Sequence, residues 1–141
     1  MPSFLHLCTV LFTVAMLCVT AYFLLGSVPL LILKHDTPVD GNFIRSFFNL
    51  YYKAAMFVAT GATLSYLLSN RPWFAVGAAC IAVLSFVLWR KVIGKMDALK
   101  AHIQSANLEA IPEFRKTHLM AIKFTLAQLV MVLWSLSAFK L

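Results

Sequence analysis

Four stretches of this chain contain no Asp, Glu, Lys or Arg: residues 1–33, 54–70, 72–89 and 124–139. Hydrocarbon accepts a polypeptide only where the backbone satisfies its own hydrogen bonds and the side chains are mostly apolar. A helix needs about 20 residues, at ~1.5 Å each, to cross a core of roughly 30 Å. The charge gaps therefore predict an all-α fold, an integral membrane four-helix bundle, with spans at residues 4–28, 44–69, 72–93 and 114–139. Four spans use most of the 141 residues, so the whole chain is expected to form a single four-span membrane domain. Charged residues make up 12% of it, against about 25% in a soluble domain.

Where the charges return sets the orientation. Lys34, Arg45, Lys53, Arg90, Lys91, Lys95, Lys100, Arg115, Lys116 and Lys123 fall on one side of the expected bundle, and only Arg71 and Lys140 on the other. Basic residues collect on the cytoplasmic side, so both termini are expected on the non-cytoplasmic side, in a bacterial inner membrane. All five acids, Asp36, Asp40, Asp97, Glu109 and Glu113, share the basic side. The net charge of +7 is thus topogenic and faces anionic headgroups. No basic face interleaved with aromatic residues points to nucleic acid. Residues 1–6 contain no Lys or Arg, so the first segment reads as a retained helix and not a cleaved signal.

Punctuation marks the helix ends. Gly26-Ser27-Val28-Pro29 is expected to kink or end helix 1, because Pro29 has no N–H to donate. Residues 34–42 read as a polar turn, with Asp40 or Asn42 capping helix 2. Residues 95–108 keep a helical period through Met96, Leu99, Ile103 and Ala106. They are expected to extend helix 3 as an amphipathic cytoplasmic helix. Pro112 with Glu113 behind it opens the last helix.

Polar residues fall on single faces. His6, Thr9, Thr13, Thr20 and Ser27 line one face of helix 1, and Arg115, His118, Thr125, Gln128 and Ser135 one face of the last helix. Ala55, Ala59, Gly61, Ala62 and Ser65 on helix 2, and Ala75, Ala79 and Ala82 on helix 3, give small-residue faces that allow close approach in lipid. Cys8, Cys18 and Cys80 form no CxxC and read as small apolar core residues.

Ionisable residues within spans are costly and usually face a partner or a cavity. Arg45, Asn49, Tyr52 and Lys53 on helix 2, with Arg115, His118 and Lys123 on the last helix, are therefore the candidate site, at the cytoplasmic mouth. Arg suits an anionic group, His a proton transfer near neutral pH, and Asn and Tyr a hydrogen bond to a carbonyl or phenol. In these roles His118 and Arg115 are the catalytic candidates, and Arg45, Asn49, Tyr52, Lys53 and Gln128 the substrate-binding ones. Structural roles are open for the same residues. Lys53 and Lys123 can snorkel. Arg45 and Arg115 can pair with Glu113, Asp40 or Asp36, His118 can tie two helices, and Gln128 can bond across helices. No two histidines fall at matched depth for haem, and no acid or Cys accompanies His118 at ligand spacing, so neither a cofactor nor a metal is expected.

The layout resembles the anthrone-oxygenase-like families of small four-helix bacterial membrane proteins. The resemblance rests on Gly26-Ser27-Val28-Pro29, on Phe47-Phe48-Asn49-Leu50-Tyr51-Tyr52-Lys53, and on Phe114-Arg115-Lys116-Thr117-His118. It implies cofactor-independent oxidation of an aromatic substrate, with Arg115 and His118 carrying that chemistry. Three functions are thus consistent with the residues. One is a site for a small apolar or aromatic ligand, with turnover left open. The others are an accessory subunit of a membrane complex and an oligomeric carrier.

Overall fold

The computed structural model describes residues 2–32, 38–105 and 109–139, and no strand occurs among them. The elements are α1 (Pro2–Leu30), α2 (Pro38–Leu68), α3 (Pro72–Leu88), a π-helical turn (Trp89–Ile93), α4 (Gly94–Gln104) and α5 (Ala110–Ser135). A short 3₁₀ turn (Leu136–Ala138) follows. The π turn joins α3 and α4 into one continuous rod. Neighbouring helices run antiparallel. Thr9, Thr13 and Phe23 of α1 meet Ser69, Tyr66 and Phe48 of α2 in turn, and Asn49 and Tyr66 of α2 meet Trp89 and Phe74. The His6 and Phe139 rings lie 5.8 Å apart, so α1 begins and α5 ends at one end of the bundle.

Among the described residues, three helical segments are long and apolar enough to cross a membrane: Phe4–Leu30, Pro72–His102 and Ala110–Ser135. Helix α2 has the length, but Asn49, Tyr51, Tyr52 and Lys53 interrupt its apolar run. Polarity in the bundle runs opposite to that of a water-soluble protein. Thr9, Thr13, Thr20, Ser27, Ser65, Ser85, Thr125 and Gln128 are buried, while Leu25, Phe57, Trp73, Val83 and Leu126 are exposed. Water would penalise that arrangement; lipid tails favour it, because they solvate apolar side chains and leave polar ones to find partners inside.

Several sequence expectations change. Helix 1 continues through Gly26 and ends at Leu30. Pro29 sits in the last turn, and Leu31 and Ile32 close onto the Val28 and Pro29 carbonyls at 3.1 and 3.0 Å. Residues 38–42, expected as a turn, are the start of α2, where proline's missing N–H costs nothing. Asp40 therefore lies in the first helical turn, favourably placed against the helix dipole. The rest of that expected turn, up to residue 37, and residues 106–108 lie outside the described residues. Cys18 and Cys80 face outward and are not core residues. On α3 the buried small residues are Ala75 and Ala78; Ala79 and Ala82 are only partly covered. The small face of α2 is spent inside the bundle, with Ala55, Ala59 and Ala62 buried.

The buried positions of α5 explain how it holds its place. Phe114, His118, Ala121, Thr125, Gln128, Val132 and Ser135 recur at alternating intervals of four and three, the spacing that keeps one seam against neighbours in a left-handed bundle. Arg115 falls off that seam and is exposed, contrary to the single face expected from sequence. Polar seam residues satisfy themselves locally. Thr9, Thr13, Thr20 and Thr125 each donate to the carbonyl four residues back, at 2.7–3.0 Å.

The turn between α2 and α3 is equally specified. Asn70 adopts φ 54°. The Arg71 N–H reaches the Tyr66 carbonyl at 2.9 Å and the Asn70 N–H reaches that of Leu67 at 3.1 Å. This pair of bonds is the Schellman ending, which needs one left-handed residue. Pro72 then opens α3 at once.

Candidate functional site

At the basic end, charge holds the helices together. Arg45 on α2 grips Asp97 on α4 with two parallel bonds, Nε to Oδ1 at 2.9 Å and Nη2 to Oδ2 at 3.0 Å. Lys95 on α4 pairs with Glu113 on α5 at 2.9 Å, and Lys100 bonds Asn42. These pairs fasten α4 to both α2 and α5. The side chains of Arg45 and Asp97 are 33% and 48% exposed, so water screens much of the attraction. Asp97 was not among the partners expected for Arg45. Asn49 accepts a 2.8 Å bond from the Trp89 indole N–H, which anchors α2 to the π turn. Lys53 and Arg115 are exposed. The seven catalytic and substrate-binding candidates thus do not converge on one mouth: two are held in structural pairs and two face outward.

The other three lie inside. His118 and Tyr52 are fully buried and both pack against Phe48, with ring centroids at 5.0 and 6.2 Å. The Tyr52 hydroxyl meets no hydrogen-bond partner among the described residues. Gln128 sits at the centre of a relay between three helices. Its Oε1 accepts from the Tyr51 hydroxyl at 2.7 Å, and its Nε2 donates to Ser85 Oγ at 3.0 Å. Lipid offers such groups no alternative partner, which makes the relay a register lock for the bundle.

Sequence reasoning missed Tyr51, Ser85 and the aromatic residues in front of them. Tyr51 differs from Tyr52 by one helical position, and both are buried, so the face could not be read from spacing alone. Ser85 is an isolated hydroxyl in the apolar run 81–88, a depth-matched partner for Gln128 that counting residues from the span ends could have suggested.

In front of Tyr51 lies a groove of about 250 Å³ between α1 and α2, lined by Val19, Tyr22, Phe23, Phe47, Leu50, Tyr51 and Ala54. Its lining exposes no polar surface. Four rings beside it stand nearly parallel. Tyr51 stacks on Phe23 at 3.9 Å and 22°, Phe23 on Phe47 at 5.1 Å and 16°, and Phe47 on Phe43 at 6.5 Å and 13°. Gly26 lets Phe47 come this close, because a Cβ there would meet the Phe47 ring at 2.6 Å. Tyr22 and Leu50 at the rim are largely exposed, so the groove opens on the apolar outer surface. Among the described residues, no group of three or more His, Cys, Asp or Glu side chains is arranged to hold a metal ion.

Comparison with models of known protein families, with curated proteins and with solved structures found no match.

Proposed function

We propose that this chain is a multi-pass membrane protein that crosses the bilayer four times and binds a small, flat, lipophilic compound in the groove between α1 and α2. The parallel stack of Tyr51, Phe23 and Phe47 carries this reading. Ring faces stacked in one orientation favour another flat π-system over a flexible chain, and the lipid-facing rim admits a ligand dissolved in the membrane. The aromatic ligand suggested by the anthrone-oxygenase resemblance is retained, but its seat moves from the basic mouth to the side of the bundle. In this reading Arg45 and Asn49 position helices.

The crossing of α2 follows from its neighbours. It runs antiparallel to both α1 and α3, and a three-residue turn returns the chain from its end to the start of α3. If α1 and α3 cross, α2 crosses the same thickness. Its exposed Phe43, Leu50, Phe57 and Leu64 recur every seven residues, an apolar stripe suited to lipid. The basic end faces the cytoplasm under the positive-inside rule, and both termini face away from it.

The test is binding of a polycyclic aromatic probe such as anthracene to purified protein in detergent, with empty micelles as the control for partitioning. Ala54 lines the groove, so Ala54→Phe fills it. The probe should bind the native chain at least tenfold better than the Ala54→Phe variant, with helicity and elution unchanged. Equal binding by the two, or equal displacement of the probe by a saturated alkyl chain, overturns the reading.

A further inference from the structure

Lys116 and Lys123 lie seven residues apart on α5, roughly 10 Å of helix rise. Both are exposed, and Leu119 and Met120 face outward between them. With Thr117 and Lys95 of α4 these side chains line a groove of about 260 Å³. The lining holds three ammonium groups and no carboxylate; Glu113, the partner of Lys95, stands outside it.

The depth of Lys123 makes the groove more than a basic surface. Phe124 and Leu126 beyond it are exposed, so the helix surface on its far side is suited to lipid. An ammonium at that depth is costly unless its stem carries it up to the interface, toward an opposite charge. Lys116 lies on the interfacial side and adds a second cation. We infer that this groove seats the phosphate of an anionic glycerophospholipid of the leaflet at the basic end. Lys116 and Lys123 flank the phosphate, Lys95 stands at the rim, and an acyl chain lies along Leu119 and Met120. A free anion would answer the lysines and leave the two apolar side chains wet. An anionic lipid answers both at once.

This inference rests on the membrane embedding proposed above, which alkaline extraction of membranes tests separately: an embedded chain stays in the pellet. For the site itself, the full chain is ejected from nanodiscs of equal phosphatidylglycerol and phosphatidylcholine into a native mass spectrometer. The native chain should retain phosphatidylglycerol preferentially. The K116Q/K123Q variant should lose that preference by on the order of tenfold, while K91Q, at an exposed lysine outside the groove, keeps it. K116Q and K123Q alone should each weaken it, and they give the reading if the double variant does not fold. The inference is overturned if K116Q/K123Q and the single variants retain the lipid as the native chain does, or if K91Q loses it equally. Stripping of the lipid by millimolar inorganic phosphate also overturns it, since that marks a plain anion site.

Discussion

Tyr51 on α2 donates a 2.7 Å hydrogen bond to the side-chain carbonyl of Gln128 on α5, 77 positions away in sequence. Gln128 passes the connection on to Ser85 at 3.0 Å. Tyr51→Phe leaves a buried carbonyl without its donor, and Gln128→Leu removes both bonds. Interhelical polar pairs in membranes contribute about 0.6 kcal/mol on average and at most about 1.7, so each substitution is expected to cost roughly 1 kcal/mol. The two losses should not add, because they break the same bond; a coupling near 0.5 kcal/mol or more is expected. Unfolding by SDS titration of the four proteins in the cycle measures it, and strict additivity would remove the relay as a unit.

Gly61 and Gly94 give opposite expectations from one residue type. A Cβ on Gly61 would overlap the Phe12 ring, whereas one on Gly94 meets nothing within 4 Å. Gly61→Val should therefore destabilise α1–α2 packing by about 1–3 kcal/mol, and adding Phe12→Ala should return part of that loss. Gly94→Ala should be neutral or stabilise by up to about 1 kcal/mol through helix propensity. Thermal unfolding in detergent distinguishes the pair. Equal effects at the two positions would mean that the Phe12 contact is not what limits residue 61.

The fold was legible because charge and apolarity act over whole segments. The stretches expected at 4–28 and 72–93 fall within the observed helices; 44–69 runs one residue past the end of α2 at Leu68, and 114–139 runs four residues past the end of α5 at Ser135, through and beyond the terminal 3₁₀ turn. The polar face of α1 was also legible, because Thr9, Thr13, Thr20 and Ser27 all turn inward; His6 alone on that face is exposed. The site was much less so. Arg45 and Asn49 looked like ligand donors because their partners, Asp97 and Trp89, lie 52 and 40 positions away. Helical period fixes a face only to within about a third of a turn, so Arg115 could be taken for a neighbour of His118 although it is exposed. The aromatic groove needs the relative rotation of α1 and α2, which packing sets and sequence period does not.

Asn70 is the one described non-glycine residue with positive φ, 54°. Asparagine tolerates that conformation, and a β-branched residue does not. Asn70→Gly should be neutral or slightly stabilising. Asn70→Val should cost about 1–2 kcal/mol and fray the end of α2, since the Arg71-to-Tyr66 bond depends on the turn. Amide hydrogen exchange at Asn70 and Arg71 reads this directly. Unchanged protection in the valine variant would show that the turn is held from elsewhere.

Arg45 separates a structural role from a ligand-binding one. Its two bonds to Asp97 join α2 to α4. Because the pair is partly exposed, Arg45→Gln should cost less than about 1 kcal/mol. The charge-reversed pair Arg45→Asp with Asp97→Arg should recover part of the loss of Arg45→Asp alone. Probe binding in the α1–α2 groove should be unaffected by Arg45→Gln. A large loss of binding with stability intact would return Arg45 to the ligand site.

Tyr52 sets the sharpest contrast with its neighbour. Both tyrosines are buried, but Tyr51 has a partner for its hydroxyl and Tyr52 has none among the described residues. Burying a hydroxyl without a hydrogen bond costs about 1–3 kcal/mol. Tyr52→Phe removes that cost while keeping the ring between Tyr51 and Phe48, whose centroids lie at 5.3 and 6.2 Å. The substitution is therefore expected to leave stability unchanged or raise it by up to about 1 kcal/mol, where Tyr51→Phe lowers it. The same SDS titration compares them. A loss of stability in Tyr52→Phe would mean that the hydroxyl is engaged.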